Sequence, residues 1–125
     1  MNRSSGRRIL LVEDEAVIAF AVEDMLTDLG FEVLGPAFRL DEAVELAASA
    51  AVDAAILDVN LNNQRSYAVA DELKRRGVPF LFATGYGAAG IPEQWRRWPV
   101  IQKPFQLKTL VKALDLALVG EPTAT

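Results

Sequence analysis

Short apolar runs and helical patterns take turns along this chain, and that alternation restricts the fold more than any other feature. Continuous runs at Ile9–Val12, Phe31–Leu34, Ala54–Leu57, Phe80–Ala83 and Val100–Gln102 read as strands buried on both faces. Between the first two, Val17, Ile18, Ala21, Val22, Met25, Leu26 and Leu29 recur at helical spacing, and Gly30 follows where a helix end favours a left-handed residue. Leu107, Leu110, Val111, Leu114 and Leu118 give a second amphipathic helix, stopped by Gly120 and Pro122. Helices are also predicted over Asp41–Ala51 and Ser66–Arg76. Helices of this length between strands cover both faces of a parallel sheet, so the predicted class is α/β, a three-layer, doubly wound (βα)5 domain with five parallel strands.

The fourth crossover breaks the pattern. Between Ala83 and Val100 lie Gly85, Gly87, Gly90, Pro92 and Pro99, which leave room for a helix over little more than Pro92–Arg97. A helix of one to two turns is marginal, so a short or mobile fourth helix is expected. The 125 residues suit one domain, predicted over 8–119 with flexible tails at 1–7 and 120–125 and no output domain after it.

Cysteine and histidine are both absent. Thiolate nucleophiles, disulfides, Cys/His zinc sites and imidazole catalysis are therefore excluded, and a metal would have to be a hard ion held by oxygen. With 17 acids against 13 bases, the chain has no global positive field to attract nucleic acid or anionic lipid. The apolar run after the basic N-terminus is too short for a signal peptide, and the uncharged stretch 78–92 is broken by glycine and proline, so no membrane insertion and a cytoplasmic location are expected.

Ligands of open parallel sheets bind beyond the carboxyl ends of the strands. The residues there are Glu13, Asp14 and Glu15 after the first strand, Asp58 and Asn60 after the third, Thr84 after the fourth, and Lys103-Pro104 after the fifth. Like charges gathered on one edge repel unless a cation neutralises them. Mg²⁺ fits best, because it accepts one or two carboxylates and keeps positions for water and phosphate oxygens. Asp14 also stands where a helix N-cap would, and Glu15 reads as an acid of the first helical turn, outside the site.

This set resembles the receiver domain of two-component response regulators, a flavodoxin-like (CheY-like) fold, over nearly the whole chain. The resemblance implies that Asp58 is the phosphoacceptor and that Glu13, Asp14, Asp58 and the backbone carbonyl of Asn60 hold Mg²⁺ or Mn²⁺. It implies that Thr84 and Lys103 contact the phosphoryl group, and that Pro104 follows a cis peptide bond. A sensor histidine kinase would be the phosphodonor, and a downstream protein or phosphotransferase the recipient of the signal.

Most receivers carry Tyr or Phe three residues before the lysine, where this chain has Val100. The string FATGYG from Phe82 to Gly87 is similar to that of a mainly alphaproteobacterial subgroup nicknamed "FAT GUY", in which the segment after the fourth strand takes over reporting; this resemblance implies stress signalling. Tyr86, Trp95 and Trp98 are then switch or docking candidates, against ordinary packing. Arg75-Arg76 and Arg96-Arg97 are basic pairs suited to an acidic partner or to solvated helix ends.

Residues 85–90 also spell G-x-G-x-x-G, but no full helix opens at the third glycine and Asp115 sits inside a helical pattern, so the dinucleotide reading fails. A haloacid-dehalogenase-type phosphatase would want a second Asp at position 60, which is Asn. An adaptor that keeps the fold and works without phosphorylation stays open as the alternative.

Overall fold

The computed structural model describes residues 7–119. The expected tails, Arg7 apart, and the helix-stopping Gly120 and Pro122 lie outside the described residues. Along the chain run β1 (Arg8–Val12), α1 (Ala16–Asp28), β2 (Glu32–Ala37), α2 (Leu40–Ser49), β3 (Ala54–Asp58), the short strands β4 (Asn60–Leu61) and β5 (Gln64–Arg65), α3 (Tyr67–Arg76), β6 (Phe80–Thr84), β7 (Val100–Gln102) and α4 (Leu107–Val119). Five strands form a parallel sheet in the order β2-β1-β3-β6-β7, while β4 and β5 pair as a separate antiparallel hairpin.

Alternation along each strand divides the core in two. Leu10, Val12, Ala55, Leu57, Phe80 and Phe82 pack with α2 and α3 residues such as Ala43, Ala47, Val69 and Leu73. On the other face, Ile9, Leu11, Ile56 and Leu81 meet Val22 and Leu26 of α1 and Leu110 and Leu114 of α4. The central strands β1, β3 and β6 are covered on both sides, which is why they read as unbroken apolar runs.

Four features differ from the sequence expectation. The second strand runs through Gly35-Pro36 to Ala37 rather than ending at Leu34. Its pairing with β1 slips between Leu34, opposite Leu10, and Ala37, opposite Val12. Gly35 makes this slip possible: its φ is +102°, and a Cβ there would lie 2.7 Å from the Ala37 nitrogen and 2.9 Å from the Leu11 carbonyl oxygen. The slip brings the Ala37 carbonyl to the Glu13 amide, 3.1 Å away.

The second helix starts and ends one to two residues early, at Leu40 and Ser49. The hairpin of β4 and β5 lay hidden because strands of two residues carry no periodicity. Finally, the fourth crossover has no α-helix; two 3₁₀ turns, Ala88–Gly90 and Glu93–Trp95, take its place. Pro92 and Pro99 bracket too few residues to nucleate an α-helix, and side-chain packing sets the path instead. Trp95 and Trp98 are 3% and 4% exposed and belong to the core. Trp98 stacks on Phe80 with centroids 5.0 Å apart, and Trp95 stacks on Tyr67 at 6.0 Å. These two residues are therefore packing anchors, not surface docking groups, whereas Tyr86 is 82% exposed.

Candidate functional site

The carboxyl ends of the strands bring the expected residues together. Asp58 is the last residue of β3 and Thr84 the last of β6, while Glu13 and Lys103 follow β1 and β7 directly. Backbone bonds lock these ends in register: the Lys103 amide donates to the Thr84 carbonyl at 2.8 Å and the Val59 amide to the Ala83 carbonyl at 3.0 Å. The peptide bond Lys103-Pro104 is cis, as the resemblance implied.

Lys103 is the hub. Its Nζ donates to Glu13 Oε2 at 3.0 Å, to Glu13 Oε1 at 3.3 Å and to Asp58 Oδ2 at 3.1 Å. Asp58 Oδ1 accepts the Asn60 amide at 3.3 Å, and Glu13 Oε1 accepts the Glu15 amide at 3.2 Å. Glu13 and Asp58 are each 3% exposed, so two carboxylates share one ammonium in a nearly dry setting. Burial and the neighbouring Glu13 push the Asp58 carboxyl up to about 8, with Lys103 pulling the other way. Burial alone would favour a neutral Lys103, but Glu13 and Asp58 outweigh it and raise its pKa.

Asp14 stands apart from this hub. Its Oδ2 accepts the amide of Asn62 from the hairpin at 2.9 Å. The N-cap of α1 is Glu15, with no side-chain cap bond, so the capping role considered for Asp14 is not seen. Glu15 is a further correction: rather than lying in the helical turn away from the site, it stands beside the cleft with Oε1 3.8 Å from Lys103 Nζ. Sequence reasoning missed it because an N-cap side chain is free to turn back toward the strand ends.

The cleft has a volume of about 420 Å³ and is lined by Asp14, Glu15, Asp58, Asn60, Thr84, Gly85, Tyr86 and Lys103. Glu13, bonded to Lys103, does not line it. Thr84 Oγ accepts the Tyr86 amide at 3.1 Å, which leaves its hydroxyl proton free to donate into the cleft. Carboxylate oxygens of Glu13, Asp14 and Asp58 come within 4.8 Å of one another. An all-oxygen donor set and the mutual repulsion of buried carboxylates fit a hard divalent cation such as Mg²⁺ or Mn²⁺.

Each residue of the two basic pairs has a contact within the protein, and Arg75, Arg96 and Arg97 remain exposed. Arg75 pairs with Glu72, Arg76 donates to the Ala47 carbonyl at 2.6 Å, Arg96 donates to the Ile91 carbonyl at 2.7 Å, and the Arg97 guanidinium lies 5.7 Å from the Trp98 ring centre. No helix among the described residues is long and apolar enough to cross a membrane.

Known proteins are similar to this chain in sequence and fold. The family model of the response regulator receiver domain matches residues 9–115. The transcriptional regulatory protein PdtaR of Mycobacterium tuberculosis is 33% identical over 116 residues, which cover 90% of this chain and 57% of that protein. The chain thus spans a little over half the length of this curated relative. The solution structure of SdrG from Sphingomonas melonis Fr1 is 40% identical with a TM-score of 0.82, covering 91% of this chain and 98% of SdrG. The receiver domain of the sensor histidine kinase PA1611 from Pseudomonas aeruginosa PAO1, solved with magnesium coordinated in its active-site cleft, is 28% identical with a TM-score of 0.78 and covers 91% of this chain and 98% of that one.

Proposed function

This chain belongs to the response regulator receiver domain family, and from that premise we propose that it is a signalling phosphoacceptor that takes a phosphoryl group onto Asp58 from a sensor histidine kinase. The observation that carries the proposal is the buried Asp58–Lys103–Glu13 cluster opening on a cleft that Thr84 also lines.

A carboxylate is a weak nucleophile toward an anionic phosphoryl group, so positioning and charge neutralisation do most of the work. Glu13, Asp14, Asp58 and the Asn60 carbonyl would hold Mg²⁺ or Mn²⁺. Such an ion supplies neutralisation of charge on the transferring oxygens. Asp58 acts as the ionised carboxylate: one of its oxygens forms the P–O bond as the P–N bond to the donor imidazole breaks, and the imidazole nitrogen keeps the electron pair and takes a proton. Lys103 is placed to trade its contact with Asp58 for one with a phosphoryl oxygen, and the Thr84 hydroxyl to donate a hydrogen bond to another. The acyl phosphate formed is labile, which suits a signal of finite lifetime.

In the same reading the domain occupies 8–119, works in the cytoplasm in stress signalling, and passes its signal to a downstream protein or phosphotransferase. Tyr86, exposed beside the cleft, and Pro104 are proposed contacts for those partners; Trp95 and Trp98 influence them from within the core. Incubation with acetyl phosphate and Mg²⁺ should add about 80 Da to the intact protein and nothing to Asp58→Asn. An unchanged wild-type mass would overturn the phosphoacceptor reading.

A further inference from the structure

Beyond the Asn60 carbonyl at its base, the β4–β5 hairpin has no part in the phosphoryl transfer described above, yet its tip reaches two other loops. Asn62 and Asn63 form the turn, with φ of 52° and 66°. Asparagine tolerates this left-handed region better than most residues, so the pair suits a tight hairpin. At the tip, the Asn62 amide donates to Asp14 Oδ2 at 2.9 Å, and its side-chain Nδ2 donates to the Phe38 carbonyl at 2.9 Å.

Phe38 is itself held from two sides. Its amide donates to Glu42 Oε1 of α2 at 3.3 Å, and its ring meets Phe20 of α1 edge-on with centroids 6.4 Å apart. At the base of the hairpin, Arg65 donates to Asn60 Oδ1 at 3.0 Å. Asn62 therefore ties the hairpin to a fixed backbone point, and its own amide then aims one carboxylate that Lys103 does not hold.

We propose that Asn62 is a positioning residue for the cation site: the bridge from its side chain to Phe38 fixes the hairpin tip so that its backbone N–H orients Asp14. The inference rests on reading Asp14 as a cation ligand. One oxygen of Asp14 is occupied by the amide and the other is left for the ion, the kind of outer contact that sets a ligand's direction before the metal arrives.

The test uses Mn²⁺ as the probe, followed by the electron paramagnetic resonance signal of the free ion, with Mg²⁺ competition. Asn62→Gly keeps the left-handed turn and the backbone amide but removes the bridge to Phe38. It should weaken Mn²⁺ and Mg²⁺ binding roughly tenfold. In an Asp14→Ala background the same substitution should change affinity by less than about twofold, because the group it positions is gone. A structural role alone would give equal losses in both backgrounds and would overturn the proposal, as would a wild-type affinity in Asn62→Gly. Thermal melting without metal checks that each variant is folded. Should Asn62→Gly not fold, exchange of the Asn62 amide decides: slow exchange in wild type that becomes fast in Asp14→Ala supports the bond to Asp14, and fast exchange in both overturns it. A wild-type protein that leaves the Mn²⁺ signal unchanged sinks the cation reading itself, and this inference with it.

Discussion

Asp58 keeps its proton far above the usual carboxylate range, and that has a sign in stability. The folded protein binds this proton more tightly than the unfolded chain, so the contribution is fully present below about pH 4 and is lost as pH rises through about 8. In metal-free buffer the wild type should therefore lose stability between about pH 4 and pH 8 more steeply than Asp58→Asn. Urea titrations at several pH values measure the two slopes, and equal slopes would refute the assignment. Saturating Mg²⁺ should narrow the gap between the variants, because the cation favours the ionised carboxylate and displaces the proton. Gly35 sets a different constraint on the same edge. Gly35→Ala must accommodate a Cβ against two backbone atoms at positive φ, and it should cost about 2 kcal/mol or more by chemical denaturation.

At the scale of elements, the strength of each sequence signal follows from how an element is buried. Runs such as Ala54–Leu57 and Phe80–Ala83 stood out because β3 and β6 have helices on both faces. The edge strand β2 carries exposed Glu32 and the Gly35-Pro36 slip, so half of it escaped notice. Glu13, Asp14, Asp58, Thr84 and Lys103 could be found because strand ends collect ligands, whereas Asn62 reaches Asp14 through a backbone amide that no side-chain pattern advertises. The Asn62-Asn63 pair was the available signal, a turn dipeptide.

The fourth crossover holds its place by aromatic packing rather than by helical hydrogen bonds. Trp95→Ala should accordingly cost about 3–5 kcal/mol of stability. Tyr67→Phe should be neutral or stabilising by up to about 1 kcal/mol, since the buried Tyr67 hydroxyl has no hydrogen-bond partner among the described residues. Both are measurable by equilibrium unfolding, and a loss in Tyr67→Phe comparable to that in Trp95→Ala would contradict the packing described.

For the molecule as a whole, two cores meet at one sheet, and the cleft opens where the sheet's carboxyl edge leaves both. Amide exchange followed by mass spectrometry should be slowest in β1, β3 and β6 and fast across 85–94, where backbone bonds are few. Uniform protection across these regions would contradict that division. The chain has two tryptophans, and both stand in the same crossover with indole centroids 5.3 Å apart and the Lys74 ammonium 5.8 Å from each ring centre. The protein thus carries its own optical label. Indole emission and the exciton coupling of two rings so close report one segment without any dye, so a spectrum that stays constant while the cleft fills would mean that the crossover has stayed where it was.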